Sequence, residues 1–147
     1  MRSRFLTPSL AALALLVLSA AANAQAPALA WGPAPAVFPA GAKMAVLQGD
    51  PSKAEGYAVR LDMPSGYKIP PHFHPTDEHV TVISGTFLVG MGDSLDAAHT
   101  TALPAGAFIT AGANLHHYAI ARGRTVVQVH GIGPFALTYV HAQDQPR

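Results

Sequence analysis

The chain has no cysteine among its 147 residues. That excludes disulfide staples, thiolate metal sites and cysteine nucleophiles. Charge is sparse as well: nine Lys and Arg face eight Asp and Glu. With no basic run, the chain has no electrostatic footprint for nucleic acid. There is no Gly-x-Ser-x-Gly elbow, no phosphate-binding loop and no dinucleotide fingerprint. Beyond the first two dozen residues no stretch carries a helical period longer than one turn, and no internal repeat is visible.

What is present starts with a leader pattern. Arg2 and Arg4 make a basic start, Leu10 to Leu18 is an apolar run, and Ala22-Asn23-Ala24 ends it with small residues. These are the three parts of a secretory signal peptide. The run is shorter than the roughly 20 residues a permanent membrane helix needs. The alternatives for the same segment are an uncleaved anchor or a buried helix. No cysteine stands at the cleavage position, which excludes a lipoprotein. Residues 1–24 are therefore expected to be removed, leaving a chain from Gln25 that is exported, to the periplasm in a Gram-negative cell. Without Arg2 and Arg4, seven basic residues face eight acidic ones. About 120 residues can bury a workable core without staples.

Residues 25–42 are rich in Pro and Ala and lack a period. They read as an arm, either laid across the domain or mobile. From there to residue 141, short apolar stretches alternate with turn signals every 8–12 residues, the pattern of an all-β sandwich or barrel. Expected strands are Met44 to Gln48, Tyr57 to Met63, Gly106 to Thr110, His117 to Ala121, Thr125 to His130 and Phe135 to Val140. Between them, His79 to Ser84 and Thr86 to Met91 flank Gly85 as a hairpin. Asp93 to Thr100 is a polar loop, and residues 142–147 form a polar tail.

The informative stretch runs Gly66-Tyr-Lys-Ile-Pro-Pro-His72-Phe-His74-Pro-Thr-Asp-Glu78 and on to Gly85. Two His one residue apart on an extended chain share a face, so both imidazoles can reach one ion. Pro75 bends the chain, and Glu78 can turn a carboxylate back to the same point. Three ligands from so short a segment leave coordination positions open. Imidazole and carboxylate donors suit Fe(II), Mn, Ni, Cu or Zn.

This segment resembles the first signature of the cupin superfamily, which is Gly, five residues, His-x-His, three or four residues, Glu, six residues, Gly. Gly66, His72, His74, Glu78 and Gly85 meet every position. A second signature is Gly, five residues, Pro-x-Gly, two residues, His, three residues, Asn. Gly106 and His117 match it. Gly112 replaces the Pro, Ala121 the final Asn, and Asn114 the second Gly; Asn tolerates the left-handed conformation Gly supplies there. His116 sits beside His117, and the spacing to Gly106 and Gly123 points to His117 as the fourth ligand. The stretch from Val127 to Phe135 is similar to an exported group of small cupins. The resemblance implies a single-domain, all-β jelly-roll barrel with one divalent transition metal ion near its mouth, and frequent homodimers.

Other residues divide as follows. Asp77 precedes Glu78 and is expected to point away from the metal. His79 should face away too, while His99 and His141 acquire no role. Tyr67 and Phe73 read as wall and packing residues. Gln128 and His130 share one face of a strand whose other face is Val127 and Val129. That face lines the cavity as substrate contacts or is a solvent-facing polar stripe. Two functions fit. One is a metal-dependent enzyme acting on a small organic molecule, dioxygenase-like by resemblance and less readily an isomerase or decarboxylase, with Glu78 able to loosen and act as a base. The other is a non-catalytic module that binds or senses a metal or small ligand.

Overall fold

The computed structural model describes residues 28–146. The expected leader, residues 1–24, lies outside the described residues. Nine strands follow in order: β1 (Gly32–Pro33), β2 (Lys43–Gln48), β3 (Gly56–Met63), β4 (Lys68–Phe73), β5 (Glu78–Met91), β6 (Thr101–Pro104), β7 (Phe108–Ala111), β8 (His117–Ile132) and β9 (Thr138–Tyr139). A single 3₁₀ turn at Ala142–Asp144 closes the chain, and there is no α-helix among the described residues. None of those residues forms a helix long and apolar enough to cross a membrane.

The sheet runs β1-β2-β3-β8-β4-β9, and β5 joins it through β8 while also pairing with β6 and β7. Every pair of neighbouring strands is antiparallel. The two long strands make the barrel. β5 and β8 pair along almost their whole length, from His79↔His130 to Met91↔His117. Such length closes the sheet on itself, because a twisted sheet curls as it extends.

Three expectations need correction here. Residues 79–84 and 86–91 are not the arms of a hairpin; they are one bent strand. Both halves pair with β8, and the register shifts between Val82 and Thr86. Gly85 absorbs the bend at φ +80°, where a side chain is strained. For the same reason His117 to Ala121 and Thr125 to His130 are two ends of β8 rather than two strands. Of the strand expected over Phe135 to Val140, only Thr138 and Tyr139 pair. β1 and β6 had no signal in the sequence.

Alternation decides which side chains point inward. In β3, Tyr57, Val59, Leu61 and Met63 are buried; in β8, Val127 and Val129 are buried while Gln128 and His130 are only half-buried. β5 adds Val80, Val82, Phe87 and Val89 to the same core. Each such side chain contributes roughly 1.5–3 kcal/mol when fully removed from water. The Pro/Ala-rich arm is part of this structure from residue 28 onward. Phe38 is buried and stacks on Phe135, with ring centroids 5.7 Å apart. Tyr67 donates its hydroxyl proton to the Pro39 carbonyl, and Tyr139 donates to the Val37 carbonyl at 2.8 Å. These contacts hold the arm as a strap across the barrel.

Candidate metal centre

Three strand ends deliver the site. β4 ends in the His72–Phe73 pair, β5 begins at Glu78, and β8 begins at His117. His72 is opposite His117 in the β4–β8 ladder. His74 follows β4 directly, and its carbonyl accepts the Asn114 amide at 2.8 Å. That bond ties the loop before His117 to the His-x-His segment. Asn114 sits at φ +59°, the left-handed conformation expected from its place in the second signature. Asp77 strengthens the tie by accepting the Ala113 amide at 2.8 Å. It thus anchors a loop rather than facing the site.

His72, His74 and His117 are all buried, and their nearest ring nitrogens lie within 4.8 Å of one another. Each ring is held from behind. Nδ1 of His72 lies 2.8 Å from the Pro70 carbonyl, Nδ1 of His74 2.7 Å from that of Ala136, and Nδ1 of His117 2.9 Å from that of Leu115. A carbonyl oxygen can only accept, so Nδ1 carries the proton in all three. The neutral imidazole then has its lone pair on Nε2. Glu78 Oε2 stands 3.5 Å from His74 Nε2 and 3.8 Å from His117 Nε2.

The donor set fits a divalent cation, and one observation tests it. His74 Nε2 is buried and has no hydrogen-bond partner among the described residues. Its 3.5 Å separation from Glu78 Oε2 is an ion-pair distance and makes no hydrogen bond. A buried acceptor without a donor is costly, and an electron-pair acceptor placed among the three Nε2 atoms and the Glu78 carboxylate removes the cost. Three imidazoles and one carboxylate suit first-row divalent ions. Charge agrees with this. Burial, with the His117 and His74 rings, pushes His72 down to about 3, so it stays neutral. Burial would raise Glu78, but the His117 and His74 rings outweigh it and hold the carboxyl well below its usual range. His74 differs: burial lowers it, but Glu78 and the Ala136 carbonyl together raise it above its ordinary value, so the carboxylate draws positive charge to the place a cation would take.

The four residues expected as ligands are therefore brought together. His116 is not among them: it is exposed to solvent on one side, stacks on Phe73 and binds Asp93 at 2.6 Å. His99 bonds Asp96, and His141 reaches the Asp93 carbonyl. Tyr67 lies in the core as expected.

An apolar cavity of about 280 Å³ runs into the barrel from this cluster, with His72, Glu78 and His117 in its wall. Gln128 and His130 are not in it. Val127 and Val129 face the cavity, so the opposite face of β8 lies outside. There His130 stacks on His79 at 4.9 Å beside Phe108, and Gln128 accepts from Arg60 at 3.4 Å. His79, Gln128 and His130 edge a separate open groove of about 930 Å³. The reading of Gln128 and His130 as substrate contacts at the metal thus gives way to the polar outer stripe, because hydrocarbon fills the inner face. The residues that do line the cavity beside the ligands include Tyr57, Phe135 and Met44. Tyr57 shares the parity of Val59 and Leu61, which was the available signal. Burial and the Glu78 charge push its hydroxyl up to about 12, so it stays protonated.

No family model matches the chain, and no curated protein matches it either. Solved structures do. A proposed acetylacetone dioxygenase from Methylibium petroleiphilum is 21% identical over 81% of this chain and 80% of its own, with a TM-score of 0.61. The polyketide cyclase RemF from Streptomyces resistomycificus is 17% identical over 71% of this chain and 75% of its own, at 0.59. An RmlC-like cupin from Shewanella frigidimarina is 18% identical over 69% of this chain and 81% of its own, at 0.55. At these identities the likeness shows the fold, which is the cupin barrel.

Proposed function

From a cupin barrel with three inward-facing imidazoles at the head of an apolar cavity, we propose a mononuclear metal-dependent enzyme that converts a small organic molecule, dioxygenase-like in its chemistry. The observation that carries this reading is the unpartnered, buried Nε2 of His74 beside two like-oriented imidazoles and a carboxylate. His72, His74, His117 and Glu78 would hold the ion. Bound there, a divalent ion with open positions binds and polarises substrate oxygens.

The chain's own residues supply the rest. The carbonyls of Pro70, Ala136 and Leu115 fix the tautomer and direction of each ring, which is how an outer layer of contacts tunes a site. Glu78 is the one ligand without a rigid backbone tether, so it is the group able to loosen and accept a proton from a bound molecule. The hydrocarbon wall excludes water and strengthens polar contacts inside. The fold is shared with a proposed acetylacetone dioxygenase and with a polyketide cyclase; one fold hosts many chemistries, and the dioxygenase-like one is the reading proposed here. The leader pattern of residues 1–24 supports export, with the mature chain beginning at Gln25 and acting in the periplasm, soluble and able to form a homodimer.

The test starts with the chain from Gln25, beside a His72→Ala, His74→Ala double variant, and measures bound metal by elemental analysis. One ion per chain in the wild type and none in the variant establishes the centre. Oxygen consumption by the iron- or manganese-loaded protein on phenols, diketones and hydroxy acids then establishes the enzyme. Stoichiometric metal with no turnover of any of them would favour a metal- or ligand-binding module instead.

A further inference from the structure

We infer that the cavity selects a small molecule with an apolar body and at most one negative charge. Its polar end rests on the metal-centred reading above; its apolar end does not. The cavity of about 280 Å³ has the share of liquid volume of about nine water molecules. Its wall is hydrocarbon from six strands, β2, β3, β4, β5, β7 and β8, including Val59, Leu61, Val80, Phe87 and Val127. No Lys or Arg among the described residues lines it. The lining reaches the surface at the exposed residues Pro35, Val46 and Ser52, and the acid near that end, Asp50, would repel an anion rather than hold it.

Charge sets the limit. A divalent ion held by neutral imidazoles and the Glu78 carboxylate leaves one net positive charge. One anionic oxygen of a substrate balances it. A second carboxylate or a phosphate would be buried against Val and Leu side chains without a partner, at a cost of several kcal/mol. Dicarboxylates and phosphate esters are thereby excluded. Neutral carbonyl compounds, phenols, enols and monocarboxylates of modest size are accepted.

Hexanoate and adipate test this directly, because they share a chain length and differ by one carboxylate. Calorimetric titration of the zinc-loaded protein, with zinc content checked by elemental analysis, should give hexanoate binding tighter by at least about tenfold, or roughly 1.4 kcal/mol. Met44→Phe and Leu61→Phe, which fill the cavity from two walls, should each weaken hexanoate several-fold and leave the zinc content unchanged. Adipate binding as tightly as hexanoate overturns the inference. A protein that takes up no zinc defeats the metal reading alone, and toluene then decides the cavity. A rise in the melting temperature of metal-free protein with toluene, abolished by Met44→Phe or Leu61→Phe, supports the apolar pocket. No rise overturns it.

Discussion

Nε2 of His74 lies 3.5 Å from Oε2 of Glu78, and neither that oxygen nor any other group completes a hydrogen bond to it. An unsatisfied buried polar atom costs about 1–3 kcal/mol. The metal-free barrel is therefore held below its attainable stability at this one point. A ligand that binds only the folded state stabilises it by about 4 kcal/mol at a thousand times its Kd. For a domain of this size that is on the order of 10 °C in Tm. Scanning calorimetry of chelator-treated protein, titrated with Fe(II), Mn, Ni, Cu and Zn, should show such a rise for at least one ion. His74→Ala should lose most of it. A wild-type Tm that none of the five ions moves would remove the metal centre.

Gly85 offers a sharper structural test. A Cβ added there would stand 2.4 Å from the Arg124 carbonyl oxygen and 2.7 Å from Thr125 Oγ1, at φ +80°. Gly66 has a similar φ of +79° but open space around it. Gly85→Ala should cost roughly 2–4 kcal/mol, from conformational strain plus a backbone collision. Gly66→Ala should cost only about 1 kcal/mol, the conformational share alone. Urea unfolding of both variants checks the difference. Equal losses would mean that the bend of β5 is free to relax away from β8.

That same glycine shows where the sequence is legible. A Gly between two apolar runs reads identically as a hairpin turn and as a bend in one strand. Only the partner decides, and the partner, β8, lies some forty residues further along the chain. The metal ligands His72, His74 and Glu78 are different. They come from seven consecutive residues, so local geometry places them together. His117 arrives from a distant strand, and its spacing to Gly106 and Gly123 is the sequence signal for it. Strand parity puts Gln128 and His130 on one shared face. Which face is inner depends on the hydrocarbon of the opposite walls, which strand parity alone does not reveal. The arm shows the same limit, because Phe38 acquires its place only from Phe135 on the far side of the chain.

Asp62 and Arg124 make stability depend on pH. Asp62 is buried in β3 and accepts from Arg124 Nε at 3.0 Å and Nη2 at 2.7 Å. The Arg124 hydrogen bonds outweigh desolvation and hold the carboxyl below its ordinary value. A carboxyl with a lowered folded-state pKa binds fewer protons folded than unfolded near pH 4. The pair thus stabilises the protein above the unfolded pKa of about 3.9, and the contribution is lost as pH falls through the folded one. Asp62→Asn should be less stable than wild type by a constant margin from pH 5 to 8. The margin should shrink below pH 4. Denaturant midpoints across that range decide it, and a margin that persists at the lowest pH would assign the effect to packing.

The strap formed by residues 34–42 should open as a unit of its own. It is fastened by the Tyr139 hydroxyl on Val37, the Tyr67 hydroxyl on Pro39, and Phe38 stacked on Phe135. The Ala34 amide closes the strap's two ends on the Ala42 carbonyl, β1 just before it pairs with β2, and Ala34, Val37 and Ala42 pack on the core. Local opening free energies lie well below that of the whole fold where fastenings are so few. Tyr139→Phe removes one hydrogen bond worth about 1 kcal/mol, which is about a fivefold change in the open population. Cleavage within the strap by a nonspecific protease should accelerate by that factor, while the midpoint of global unfolding moves little. Phe38→Ala should go further, costing about 3 kcal/mol and exposing the cavity that Phe38 helps to close. If both variants are cleaved no faster than wild type, the strap and the barrel unfold together, and access to the cavity must run only past the exposed rim at Val46 and Ser52.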